Sequence, residues 1–178
     1  MSEHAIFIII LVVVGIALVA VVAYYVARFL RGTIKLSLTR TAFNPGETIS
    51  GQFDLHTKKA IESNRLIVSV IGTQVTRRQE GKQSRTRSHE VYRDEVLIEE
   101  AKTYPAGTVV THKFEIPTPD MKSPEFLNSG LGQAMTAALR LVSQHSTRLK
   151  WKVEVRLDAK GIDLATSKSI TMNIRQLV

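Results

Sequence analysis

The sequence has no cysteine. That removes disulfides, thiolate metal sites and a cysteine nucleophile together, and it fits a domain facing a reducing compartment without requiring one. The signatures of common enzymes are missing too. There is no G-x-S-x-G elbow, no P-loop and no G-x-G-x-x-G, since Gly130-Leu131-Gly132 lacks the rest of a dinucleotide fingerprint. The histidines, His4, His56, His89, His112 and His145, are scattered without an i, i+4 pair or neighbouring ligands, whereas zinc needs three or four converging groups. The expectation is a protein that is not an enzyme and has no catalytic residues, metal or cofactor.

Charge is absent from one long stretch. Ala5 to Ala27, AIFIIILVVVGIALVAVVAYYVA, runs twenty-three residues without a charged side chain. As a helix rising about 1.5 Å per residue it crosses a hydrocarbon core of roughly 30 Å. Lipid offers no partners to backbone groups, so helix is the only form open to a single span. Tyr24 and Tyr25 close the run, where amphipathic rings suit the headgroup level. The flank MSEH lacks the basic region of a cleaved signal peptide, and the apolar core is too long for one. Arg28, Arg31 and Lys35 follow the span, and only Glu3 and His4 precede it, so the positive-inside rule places the C-terminal side in the cytoplasm. The expectation is a single-pass membrane protein.

After the span the hydrophobic pattern changes to a period of two. Ile34, Leu36 and Leu38 alternate with polar residues, as do Ile49, Phe53 and Leu55, then Leu66, Val68 and Val70. Val153, Val155 and Leu157 repeat the pattern, followed by Ile170, Met172 and Ile174. Such segments read as half-buried antiparallel strands. Asn44-Pro45-Gly46, Pro105-Ala106-Gly107 and Lys160-Gly161 supply turns. The pattern implies an all-β sandwich or barrel. The chain divides into a tail at 1–4, a transmembrane helix at 5–27, a linker at 28–32 and a β domain at 33–178.

One amphipathic helix interrupts the strands. Leu131, Met135, Ala138, Leu139 and Val142 form an apolar stripe, with Asn128 or Ser129 placed to cap its start. The stripe packs on an edge or end of the sandwich, or else docks a partner through Leu131, Met135, Leu139 and Val142. Acidic residues gather in HEVYRDEVLIEE. On a strand Glu90 and Asp94 share one face and Glu95 and Glu99 the other, so no catalytic carboxylate pair forms.

The net charge is +8, and +4 of it lies in Thr76–Ser88, TRRQEGKQSRTRS, where Arg77, Arg78, Lys82, Arg85 and Arg87 face only Glu80. Set between two strands, this segment reads as a long polar hairpin tip, either solvated or a binding site for something anionic. Nucleic acid is disfavoured because the tip has no aromatic residue for stacking. Anionic lipid is a candidate if the tip faces the bilayer, and an acidic or phosphorylated protein segment if it faces away.

Three stretches resemble a known family. NPGETISGQFDL followed by RLIVSVIGTQV resembles the opening strands of the arrestin-like N-terminal domain. YPAGTVVTHKFEIPTP with KSPEF resembles the family's turn, strand and Phe-x-x-Pro segment, and WKVEVRLDAKGIDLATSKSITMNI resembles its closing strand pair. The resemblance covers most of Thr33 to Ile174 and implies an immunoglobulin-like, arrestin-like antiparallel β-sandwich, as in arrestins and sporulation-control proteins. It implies a membrane-associated adaptor or scaffold that binds another protein. The alternatives are a structural subunit that self-assembles as a homo-oligomer, or a regulator binding anionic lipid through 76–88. Two features depart from the family: the chain has the length of one such domain, and the helix at 131–142 stands where a plain connection is expected. The family's phosphate-sensing residues find no match, and Lys35 alone does not carry that role.

Overall fold

The computed structural model describes residues 3–80, 83–120, 123–130, 132–133, 136–137 and 147–173. A helix, α1 (Glu3–Arg31), leads into β1 (Gly32–Leu38), β2 (Ala42–Phe43), β3 (Thr48–Thr57), β4 (Ile61–Glu80) and β5 (Gln83–Glu99). There follow β6 (Lys102–Tyr104), β7 (Val109–Pro117), α2 (Pro124–Asn128), β8 (Thr147–Ala159) and β9 (Leu164–Met172). One sheet has the order β1-β3-β7. The other runs β2-β9-β8-β4-β5, with β6 pairing the start of β4.

The alternation seen in the sequence is the core. Leu36, Ile49, Phe53, Leu55 and Ile116 from the smaller sheet meet Leu66, Val68, Val70, Val153, Val155 and Leu157 from the larger, all buried. Ile34 and Leu38 pack at the margin of this cluster. Ile174 lies outside the described residues.

Turn chemistry fixes the register. In Asn44–Glu47 the Glu47 carboxylate accepts from the Asn44 amide at 2.9 Å and from Asn44 Nδ2 at 2.8 Å. Gly46 supplies the positive φ of 83° that this turn requires.

The stretch 28–32, expected to be a linker, is instead the last turn of α1 and the first residue of β1. The junction is closed by hydrogen bonds rather than left loose. The Arg31 carbonyl accepts from the amides of Lys58 at 2.8 Å and Lys59 at 3.3 Å. Its guanidinium donates to the carbonyls of Ile162 at 2.8 Å and Lys160 at 3.0 Å. Gly32 makes the tight passage possible, because a Cβ there would lie 2.4 Å from the His56 carbonyl oxygen.

The basic segment also differs from its expectation as a loop. β4 continues to Glu80 and β5 begins at Gln83, with Arg77 opposite Thr86 and Arg78 opposite Arg85. Alternating Thr, Arg and Gln can hold a two-stranded ribbon without burying a face.

Strand parity fails on β5. The register slips between Leu66 and Ile67 and again between Gly72 and Thr73, so Ile98 and Val91 are the extra residues of two bulges. Glu90 and Glu95 therefore share the outer face, where both bind Arg93, at 2.7 Å and 3.1 Å. Glu99 turns to the inner row opposite Leu66, so it does not share a face with Glu95.

Candidate functional site

The basic ribbon and α1 lie at opposite ends of β4. Ile61 begins β4 two residues after Lys59, whose amide is bonded to Arg31. Arg77 is sixteen residues further along the same strand. At about 3.3 Å per residue, on the order of 50 Å of strand separates the two.

Three strands build the base of the ribbon. β8 pairs β4 as far as Thr76, setting Arg148 opposite Val75 and Lys150 opposite Thr73. Arg148 and Lys150 are exposed, as are Arg77, Arg85 and Arg87. Lys82 and the side chain of Arg78 lie outside the described residues. Reading the sequence alone missed Arg148 and Lys150, because only the long-range register of β8 brings them beside the ribbon. Their alternation in TRLKWK was the available signal.

The neighbouring outer face of the larger sheet is charged but balanced. Glu154, 7% exposed, accepts from Lys152 at 2.5 Å and Arg156 at 2.9 Å. Burial pushes its carboxyl up, and the two cations outweigh that and hold it below the ordinary range. Arg65 bridges Asp158 at 3.5 Å and Glu95 at 3.9 Å, and Arg93 binds Glu90 and Glu95. Ile67 and Ile71 are nonetheless buried on the outer side of β4, where their register partners on β8 are Arg156 and Lys152. The ribbon segment Thr76–Ser88, by contrast, carries +4 of the chain's net charge of +8.

Aromatic rings near the ribbon face inward. Tyr92 packs on Trp151 at 5.6 Å and on Phe126 at 6.1 Å between ring centres. Tyr92 and Trp151 are only 6% and 3% exposed, so neither offers a stacking surface. Burial first, and Asp94 second, push the Tyr92 hydroxyl up to about 12. Phe126 comes from α2, whose start is capped by Ser123. Ser129 Oγ accepts from the Gly132 amide at 2.9 Å, the capping bond expected there. The stripe Leu131, Met135, Leu139 and Val142 lies outside the described residues.

Among the described residues no three His, Cys, Asp or Glu side chains come together as a metal site. A Glu99, Tyr104 and His112 grouping is packed between the sheets. The Tyr104 hydroxyl donates to Glu99, Lys102 donates at 3.0 Å, and His112 Nε2 lies 3.9 Å away, its ring 5.3 Å from that of Phe53. Burial raises the Glu99 carboxyl, but the bonds from Tyr104 and Lys102 bring it below its ordinary value.

No family model matches the chain, and no curated protein matches its sequence. Among solved structures, the crystal structure of Spo0M, a sporulation control protein from Bacillus subtilis, matches 80% of this chain with a TM-score of 0.53 and 14% identity. This chain spans about half, 49%, of that one. At such identity the likeness concerns the fold alone: two sheets in the arrangement of an arrestin-like β-sandwich, antiparallel as expected except that the short β2 pairs β9 in parallel.

Proposed function

We propose that the protein is a single-pass membrane adaptor. In this reading α1 spans the bilayer, the immunoglobulin-like sandwich faces the cytoplasm, and the basic ribbon engages an acidic segment of a protein partner. The segment Ile9–Arg31 has a mean hydropathy of 2.9 in its most apolar window, none of which is buried, a surface suited to lipid rather than to a core. Arg31 and the lysines beside it favour the cytoplasmic side for the sandwich.

The observation that carries the choice of partner is the position of the ribbon at the far end of β4 from α1. Electrostatic attraction to the bilayer fades within about 8–10 Å, against a strand path on the order of 50 Å. That distance weighs against lipid as the ribbon's ligand, and the inward-facing aromatics weigh against single-stranded nucleic acid. A carboxylate-rich or phosphorylated peptide needs only the exposed guanidiniums.

The test is binding of a fluorescent Glu-rich peptide, and of a single-stranded RNA of equal charge, to the full chain in neutral nanodiscs. The adaptor reading expects salt-dependent peptide binding that weakens about tenfold in R85Q/R87Q. Preference for the RNA, or peptide binding that ignores the substitutions, would sink it.

A further inference from the structure

The end of the sandwich that touches α1 carries its own unassigned feature. A cleft of about 250 Å³ opens between the last turns of α1 and the strands β1 and β9. Tyr25, Phe29, Ile34 and Leu164 form its apolar walls, and Thr33 and Thr166 bring hydroxyls. Lys58 Nζ sits 3.3 Å from the centre of the Phe29 ring, at the rim. Lys59 is exposed next to it, and Arg31 is held on the carbonyls of Lys160 and Ile162.

The charges at this rim are not all equivalent. Lys160 is taken by Glu62 at 2.7 Å, and Asp163 lies 3.7 Å from Arg156 and accepts from the Ala159 amide. No carboxylate is bonded to Lys58, Lys59 or Arg31 among the described residues. The result is an apolar slot with a positive rim at the level where α1 changes from apolar to charged.

We propose that this cleft binds one anionic phospholipid, a proposal that rests on the membrane-spanning reading of α1. Phe29, Ile34 and Leu164 would cover the glycerol region and the top of an acyl chain. Lys58, over the Phe29 ring, and the exposed Lys59 would supply the positive charge for the phosphate, with Thr33 and Thr166 in the cleft lining. A lipid seated there links the helix to the β3–β4 turn and to β9, fixing the sandwich's attitude on the bilayer.

The experiment uses the full chain mixed with vesicles of phosphatidylcholine, alone or with phosphatidylglycerol. Flotation reports anchorage, and native mass spectrometry after detergent extraction reports retained lipid. The expected result is flotation with both vesicles and roughly tenfold preferential retention of phosphatidylglycerol, lost in K58Q/K59Q and kept in R85Q/R87Q. Equal retention of both lipids, or a preference that survives K58Q/K59Q, overturns the proposal. Displacement of the lipid by millimolar inorganic phosphate overturns it in favour of a free-phosphate site. Failure to float with either vesicle instead removes the spanning reading, and the lipid site with it.

Discussion

The guanidinium of Arg31 donates to the carbonyl oxygen of Ile162 at 2.8 Å, across 131 residues of chain. The last residue of the helix is thereby tied to the β8–β9 turn, while its own carbonyl is tied to the β3–β4 turn. Helix ends ordinarily leave carbonyls for water or capping groups. Here the Lys58 and Lys59 amides cap the Arg31 carbonyl, so the helix end is bonded to the sandwich at two turns.

Removing that tie should loosen the joint without unfolding the domain. Arg31→Ala is expected to cost about 1 kcal/mol, or roughly 2–4 °C in Tm. Because the chain has no cysteine, spin labels can be placed on Val22→Cys and Lys168→Cys without background. Their distance distribution should broaden in Arg31→Ala. An unchanged, narrow distribution would mean that the guanidinium does not hold the joint.

The passage through Gly32 makes a sharper demand. Its Cβ position is 2.4 Å from a backbone oxygen, which cannot rotate away as a side chain could. Gly32→Ala should destabilise the protein by about 1–3 kcal/mol. Gly15→Ala, at a position with nothing within 4 Å, is the control and should leave thermal unfolding unchanged.

Glu154 should make part of the stability dependent on pH. Its folded carboxyl is held below the ordinary value of 4.5, so its contribution is present above that value and is lost as pH falls through the folded value. Glu154→Gln should lower Tm by roughly 2–4 °C at neutral pH. The gap to the unsubstituted protein should close on acidification below pH 4.5. A gap that widens instead would contradict the charge pairing.

Tyr104 is buried, and its hydroxyl donates to Glu99. Tyr104→Phe removes a donor to a charged acceptor and should cost about 1.5–3 kcal/mol. The Glu99 carboxyl should titrate higher, since burial would then act with less opposition. A carboxyl NMR titration with Glu99 unmoved would show that the bond carries no weight.

Much of the sandwich was legible because each strand with one wet face writes its register in the sequence. Leu66, Val68 and Val70, or Val153, Val155 and Leu157, could face only one way. β5 resisted the same reading: the bulges at Val91 and Ile98 reverse its faces, and nothing in HEVYRDEVLIEE announces them. Ile67 and Ile71 look like residues of a strand buried on both faces, yet their register partners on β8 are the ion-paired Arg156 and Lys152. The five cations of the basic segment were visible from composition, whereas Arg148 and Lys150 join the site only through pairing over some seventy residues. The stretch 28–32 reads as a linker in the sequence. What decides it is long-range bonding at Arg31, which no local pattern encodes.

The central claim is that one end of the sandwich rests on the bilayer and the basic ribbon stands away from it. Paramagnetic quenching tests this most directly, with fluorophores on Lys59→Cys and Thr86→Cys in nanodiscs containing headgroup-labelled spin lipid. The account expects strong quenching at position 59 and none above background at position 86. Equal quenching at both positions would place the ribbon on the membrane and contradict the account.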